Sequence, residues 1–118
     1  MVSMNKRVRL ACLVLAVLAG AAPGAGFAMQ AGQALAQAKA CMGCHQVDAK
    51  RVGPPLREVA VRYGGQDASA TLAYLANTIR EGGRGRWGAI PMPAQPHVSP
   101  AESEDLARWI LSLESGTR

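Results

Sequence analysis

The motif Cys41-Met42-Gly43-Cys44-His45 limits what this chain can fold into more than any other feature. Its two thiols lie three positions apart, about one helical turn, so both can reach the two vinyl groups along one edge of a haem. A Cys-x-x-Cys-His string is the attachment signature of a c-type haem. Because neutral imidazole is a good ligand for iron, His45 is the candidate proximal ligand. The motif therefore predicts a haem fixed covalently to Cys41 and Cys44.

The same three side chains are also compatible with a redox dithiol or with half of a zinc site. A structural zinc ion usually takes four nitrogen or sulfur ligands, and outside the N-terminal segment only His97 is left to complete the set. We favour the haem, and the other two interpretations stay open at this point.

The N-terminal segment is typical of a secretory signal peptide. Residues 1–9 carry three cations and no acid, and residues 10–22 are an unbroken run of apolar and small residues. A retained membrane anchor needs about 20 apolar residues, so this run is too short. Small residues at the recognition positions favour cleavage after Ala28. We expect residues 1–28 to be removed and residues 29–118 to form one monohaem domain in the periplasm.

Removal of this segment changes what the composition indicates. The formal net charge is +5, but three cations lie in the leader, and ten Lys and Arg then face eight Asp and Glu. This small excess of positive charge does not indicate a nucleic-acid partner. Cys12 leaves with the leader, so no structural disulfide is expected. A domain of about 90 residues has a marginal core, so we expect a haem to form its centre.

Helix formers and the spacing of apolar residues predict helices over 31–40, 55–63, 68–81 and 100–113. Asp67 is a candidate cap for the third helix. Ser99-Pro100-Ala101-Glu102 is a capping box with proline at the first helical position of the last helix. We expect the last helix to pack on the first.

Two loops that contain prolines are candidates to complete the site. The loop Val52-Gly53-Pro54-Pro55 could offer the carbonyl of Pro54 to the second N–H of His45, although it could equally be only a turn. In the other loop, Pro91-Met92-Pro93 excludes a helix and presents the methionine from extended backbone. A thioether held in this way is a candidate axial ligand, and Met/His ligation raises the reduction potential, which suits an electron carrier.

With these motifs in order, the chain resembles the small bacterial class I cytochromes c of the c-551/c-552 type. The resemblance covers residues 31–113, and its most specific part is the loop Trp87-Gly88-Ala89-Ile90-Pro91-Met92-Pro93, followed by Trp109 in the last helix. It implies an all-α fold of four to five short helices wrapped around one covalent haem. It also implies single-electron transfer as the activity, without enzymatic catalysis.

By position, the resemblance implies that Cys41 and Cys44 are the thioether donors and that His45 and Met92 are the axial ligands. The partners it implies are transient redox proteins, a donor and an acceptor, such as a membrane cytochrome complex, a terminal oxidase or a periplasmic reductase. We expect no nucleic-acid partner and no stable membrane anchor, and we expect the protein to be a monomer.

The resemblance further implies that Pro54 accepts a hydrogen bond from His45 and that the indole N–H of Trp87 meets a haem propionate. Where relatives carry an asparagine that bonds the methionine sulfur, this chain has Gln95. Whether Gln95 makes the hydrogen bond to the sulfur of Met92 is therefore an open question.

Two other departures concern the propionate and the first helix. Thr78 stands where some relatives have a propionate-binding arginine, so Arg80 or Arg86 would have to compensate. Ala36 stands where an aromatic side chain often packs on the last helix, so Trp109 is expected to pack differently.

Two alternative functions use the same motif. A dedicated haem subunit of a larger periplasmic oxidoreductase would differ from a free carrier only in its affinity for the partner. A haem with an open sixth site for small gases or peroxide would need Met92 off the iron and a distal acid-base pair, and His97 follows the ligand loop too closely to supply one. Cations near the haem segments could form a rim for an acidic partner or could simply be solvated: Lys39, Lys50, Arg51, Arg57, Arg84 and Arg86.

Overall fold

The structure is a computed structural model that describes residues 20–22 and 24–116. The four α-helices among them are α1 Ala25–Ala38, α2 Leu56–Tyr63, α3 Ala68–Glu81 and α4 Pro100–Ser112. Short 3-10 turns lie at Cys41–Gly43 and Leu113–Ser115. The β pairing within the described residues is a single bridge between Gly83 and Met92. The predicted all-α fold is confirmed.

Differences from the predicted boundaries are concentrated in α1. The helix begins at Ala25, earlier than predicted, and ends at Ala38 because Ala40 adopts a left-handed backbone with φ of 62°. It therefore crosses the predicted cleavage site after Ala28. Most of the predicted signal peptide, residues 1–28, lies outside the described residues, and its cleavage stays a prediction.

Both predicted helix caps are confirmed. The carboxylate of Asp67 accepts a hydrogen bond from the backbone N–H of Ala70 at 2.8 Å, which satisfies a donor that the helix itself leaves free. The hydroxyl of Ser99 accepts from the N–H of Glu102, and the carboxylate of Glu102 accepts from the N–H of Ser99 at 2.9 Å. These caps fix where α3 and α4 begin.

The last helix is the centre of the packing, because it contacts α1, α2 and α3. Its predicted apolar stripe is buried, with Leu106 only 1% exposed, and so are the apolar faces of α2 and α3. The predicted packing of α4 on α1 is confirmed. The core side chains of these helices include Leu56, Val59, Leu75, Ala76, Ile79, Leu106, Trp109 and Ile110.

Trp109 packs directly on the backbone of α1 at Gly32. A Cβ added to Gly32 would lie 2.2 Å from Cγ of the indole, so the glycine permits this approach. Ala36 lies one turn further on the same face and is fully buried. The indole therefore rests on α1 at a position that has no side chain.

Replacement of Gly32 by Ala should therefore lower the stability of the protein. Alanine favours a helix interior by about 1 kcal/mol, but a clash with a rigid buried ring costs about 1–3 kcal/mol. We expect a lower Tm for the haem-loaded protein, measured by far-UV circular dichroism. The control is Ala34→Gly at an exposed position of the same helix, which changes helix propensity alone. A Tm for G32A above that of the wild type would contradict the packing argument.

Glu102 links the start of α4 to the end of α1. Its carboxylate accepts the backbone N–H of Ser99 and lies 2.9 Å from Nζ of Lys39. The backbone hydrogen bond, and after it the lysine, hold the pKa of Glu102 below its ordinary value of 4.5. A carboxyl whose pKa is depressed in the folded state stabilises the fold above its unfolded pKa, and this contribution is lost as the pH falls through the folded pKa.

We expect Glu102→Gln to lower the Tm by a few degrees at pH 7 and by less at pH 3, because the carboxylate is increasingly protonated as the pH falls through its folded pKa. Thermal unfolding of the haem-loaded protein at both pH values measures this. Glu104→Gln is the matched control, because Glu104 makes only an exposed ion pair with Arg108. An equal difference in Tm between wild type and E102Q at pH 3 and pH 7 would exclude the linkage.

Candidate haem site

A cleft among the helices brings the two predicted ligand loops together. It contains about 1160 Å³ when the space at its mouth is included, and pockets for small ligands typically hold about 300–1,000 Å³. Cys41, Cys44, His45 and Met92 all line it. Much of the remaining wall is made of core side chains: Ala36, Leu56, Val59, Leu75, Ile79, Leu106, Trp109 and Ile110.

The motif that begins at Cys41 folds as one tight turn. The carbonyl of Cys41 accepts hydrogen bonds from the N–H groups of Cys44 at 3.2 Å and His45 at 3.0 Å. The turn therefore brings the three side chains to one cleft. Cys41 is half-buried and Cys44 is exposed. Burial raises the pKa of the Cys41 thiol, and a backbone hydrogen bond opposes this in part.

His45 is oriented by the backbone of the loop that follows it. Its Nδ1 lies 2.9 Å from the carbonyl oxygen of Pro54. A carbonyl only accepts, so Nδ1 carries the hydrogen and donates it, and Nε2 keeps its lone pair. This contact is the one that the resemblance implies for Pro54. It leaves the imidazole in the form that can ligate a metal.

Gly53 is a site residue that the sequence reasoning missed. A Cβ at this position would lie 2.4 Å from Cε1 of His45 and 2.8 Å from its Nδ1. Its N–H also donates to the carbonyl of Cys44 at 2.7 Å. The imidazole therefore lies against bare backbone. The signal in the sequence was a glycine directly before the proline that accepts the hydrogen bond.

Met92 is held by backbone pairing as well as by its two prolines. Its N–H donates to the carbonyl of Gly83 at 2.8 Å, and the N–H of Gly83 donates back to Met92 at 3.0 Å. Gly82 precedes this pair with φ of 77°, where a Cβ would meet the Met92 carbonyl at 2.4 Å. These two glycines directly follow Glu81, the last residue of α3. They are also the surface on which the methionine loop lies.

Gln95 fastens the same loop to α3. Its backbone N–H donates to the carbonyl of Arg80 at 3.1 Å, and its side-chain amide donates to the carbonyl of Pro93 at 3.0 Å. The amide is thus engaged within the loop. Trp87, the candidate propionate contact, lines the cleft and is half-buried.

His97 lies outside the group of residues that line the cleft. Its Nε2 lies 3.1 Å from the carbonyl oxygen of Lys39, and Nζ of Lys39 donates to the carbonyl of His97 at 3.3 Å. Within the described ranges, no group of three or more His, Cys, Asp and Glu side chains is placed to bind a metal ion by itself. The zinc interpretation therefore lacks its fourth ligand.

Residues 29–114 match the family model described as Cytochrome c. The chain belongs to the cytochrome c family. It is 47% identical to cytochrome c-551 of Pseudomonas denitrificans over 83 residues, which cover 70% of this chain and 98% of that protein. It is 48% identical to cytochrome c-552 of Nitrosomonas europaea over 90 residues, covering 76% of this chain and 84% of that one.

The similarity extends to the fold. The crystal structure of wild-type Nitrosomonas europaea cytochrome c552 matches with a TM-score of 0.67 at 44% identity, over 70% of this chain and 99% of that chain. The chain is thus a small class I monohaem cytochrome c, an electron-transfer protein rather than an enzyme, with one covalently bound haem c. Its cleft suits that group, because it combines apolar walls with two thiols, an imidazole whose Nε2 is available and a thioether.

Substitution of Gly53 by Ala should disturb this cytochrome at the imidazole. The new Cβ would push the ring away from the Pro54 carbonyl, so we expect a lower yield of haem-loaded protein and an altered Soret band. The control is Gly43→Ala, within the motif, because a Cβ there meets no protein atom within 4 Å. Unchanged yield and absorption for G53A, with the two variants alike, would show that the close approach at residue 53 is unimportant.

Proposed function

We propose that this cytochrome is a periplasmic carrier of single electrons whose haem iron is ligated by His45 and Met92. The observation that carries the proposal is the convergence of Cys41, Cys44, His45 and Met92 on one cleft. When bound, the haem supplies an iron that takes up or gives off one electron. The chain holds that group, sets its potential and limits access of water to it.

The two loops that bear the ligands are rigid for different reasons. On one side, the imidazole of His45 is fixed by the Pro54 carbonyl and by the close approach of Gly53. On the other, Met92 is fixed by two backbone hydrogen bonds to Gly83. A histidine and methionine pair raises the reduction potential, and rigid ligands need little rearrangement when the electron moves.

The mouth of the cleft is suited to brief contact with another protein. Val52 and Ile90 line the cleft and are 49% and 65% exposed. Small apolar contacts of this kind suit weak redox encounters, which bury less than about 1,200 Å². We propose transient donor and acceptor proteins as the partners, and a monomer as the working form.

Some of the cations suggested as a rim serve the fold instead. Lys39 pairs with Glu102, and Arg57 pairs with Asp48 at 2.5 Å while also donating to the carbonyls of Leu113 and Gly116. Of the six suggested cations, Lys50, Arg51, Arg84 and Arg86 are exposed and take part in no ion pair given for the described residues. The rim that a partner could meet is therefore smaller than the sequence indicated.

Export is supported by the N-terminal segment. The family match begins at residue 29, where the mature chain is predicted to start. Met29 packs against the core, and its sulfur lies 3.0 Å from the hydroxyl of Ser112, so a chain that begins there remains attached to α4. Across the described ranges, the helices are too short or too polar to cross a membrane.

The replacement Met92→Ala tests the proposal. We expect the haem to stay attached, the reduction potential to fall and a site for carbon monoxide to open, because the axial thioether is lost. The measurements, on the protein released by osmotic shock, are a redox titration for the potential, the absorption spectrum in both oxidation states and with carbon monoxide, and N-terminal sequencing.

Met42→Ala is the matched control, since Met42 lies in the haem motif and packs against the core without a proposed ligand role. It should keep the wild-type potential and bind no carbon monoxide. An unchanged potential in M92A would refute the axial assignment. Retention in the cytoplasm, or an N-terminus well away from residue 29, would refute the location.

A further inference from the structure

Two arginines and three aromatic rings form a cluster beside the cleft. The guanidinium carbon of Arg62 lies 4.5 Å from the ring centroid of Trp87 and 5.7 Å from that of Tyr63. The guanidinium carbon of Arg86 lies 4.9 Å from the ring centroid of Tyr74. The two tyrosine rings are themselves 5.3 Å apart. We call these five residues the arginine–aromatic cluster.

Arg86 is held in place by the end of α3. Its Nη1 donates to Oγ1 of Thr78 at 3.1 Å, and that hydroxyl in turn donates to the carbonyl of Tyr74 at 2.9 Å. The hydroxyl has one hydrogen, which the carbonyl uses, so it can only accept from the arginine. A guanidinium has five N–H groups, and this contact occupies one of them.

Gly83 provides the room for this guanidinium. A Cβ at Gly83 would lie 2.8 Å from Nη1 of Arg86. The same glycine carries the backbone pair with Met92. Arg86 therefore lies against the segment that positions the candidate axial ligand, and the side chains of Thr78, Arg86 and Trp87 line the same cleft.

The cluster carries two positive charges and no carboxylate. The cations in the ion pairs given for the described residues are Lys39, Arg57 and Arg108. Arg62 donates to the backbone carbonyl of Arg86 at 2.6 Å, so the two like charges are kept near each other by the fold. Burial, as the main cause, raises the pKa of Tyr63, so its hydroxyl stays neutral. Such a site favours an anion.

We infer that Arg86, supported by Thr78 and Tyr74, binds a carboxylate of the haem from the loop after α3. The inference rests on the proposed function, because it needs the haem in this cleft. Haem has two propionate carboxylates, and a guanidinium matches a carboxylate through paired N–H donors. Arg80, the other arginine that the sequence offered, does not line the cleft. The guanidinium of Arg62 stacks on the Trp87 ring and donates a hydrogen bond to the backbone carbonyl of Arg86.

Removal of the guanidinium should change how that carboxyl titrates. A cation within about 4–6 Å lowers the pKa of a carboxyl by roughly 1–3 pH units, so Arg86→Gln should raise the propionate pKa by about that amount. The probe is the haem methyl resonances of the ferric holoprotein, followed by proton NMR from pH 4 to pH 9. The dependence of the reduction potential on pH should move in the same direction.

Arg80→Gln is the matched control, because it removes an equal charge from an exposed site on α3. The propionate pKa should stay close to the wild-type value in this variant, and Arg86→Lys should restore part of the change. Equal shifts in R86Q and R80Q would mean a general charge effect and would overturn the inference. No shift in R86Q would overturn it as well.

Thr78→Val gives a second route if R86Q does not accumulate as a holoprotein. It removes the hydroxyl that positions Arg86 while keeping the side-chain volume, and a smaller rise in the same pKa is expected. A pKa equal to that of the wild type in T78V would contradict the support assigned to Thr78. In all variants the weak far-red absorption band of methionine-ligated ferric iron should persist. If the wild type itself lacks that band, the proposed ligation fails, independently of Arg86.

Discussion

The apolar cleft is the constraint on which the rest of this structure depends. A chain this small buries too little of its own surface to be comfortably stable, and many of its core side chains also form the wall of the cleft. Leu56, Leu75 and Leu106 belong to both sets. The interior is therefore shared between side-chain packing and the haem. In this cytochrome, haem binding and the stability of the fold therefore depend on the same side chains.

At several positions around the haem site, a side chain or loop packs directly on the backbone of a glycine. Trp109 lies on Gly32, the imidazole of His45 lies on Gly53, and the methionine loop lies on Gly82. At each position a Cβ would come within 3.0 Å of an atom of the neighbouring group. Larger residues would push the tryptophan, the imidazole or the loop outward, and the cleft would change shape.

Sequence reasoning predicted the elements that local chemistry determines. The caps at Asp67 and Ser99 and the buried face of α4 follow from short-range patterns, and all three are present in the structure. The motif that ends at His45 indicated a haem because thiol spacing and the imidazole are encoded within five residues.

What the sequence could not show depends on contacts between distant segments. Three contacts join residues that only the fold brings together. They are the bridge between Gly83 and Met92, the ion pair of Lys39 with Glu102 and the hydrogen bond from Arg86 to Thr78. The start of α1 was missed for a different reason. Residues 25–30 contain one glycine and two alanines near the predicted cleavage site, and nothing in their pattern distinguishes helix from leader.

The contacts between α1 and α4 also bear on the order in which this protein can mature. Lys39 and His97 join the end of α1 to the turn before α4, and Met29 meets Ser112 at the opposite ends of the two helices. These helices are the first and last in the described part of the chain, so the packing of α1 on α4 forms only once the C-terminal residues have been synthesised. Docking of α4 closes the wall only after the entire chain is available.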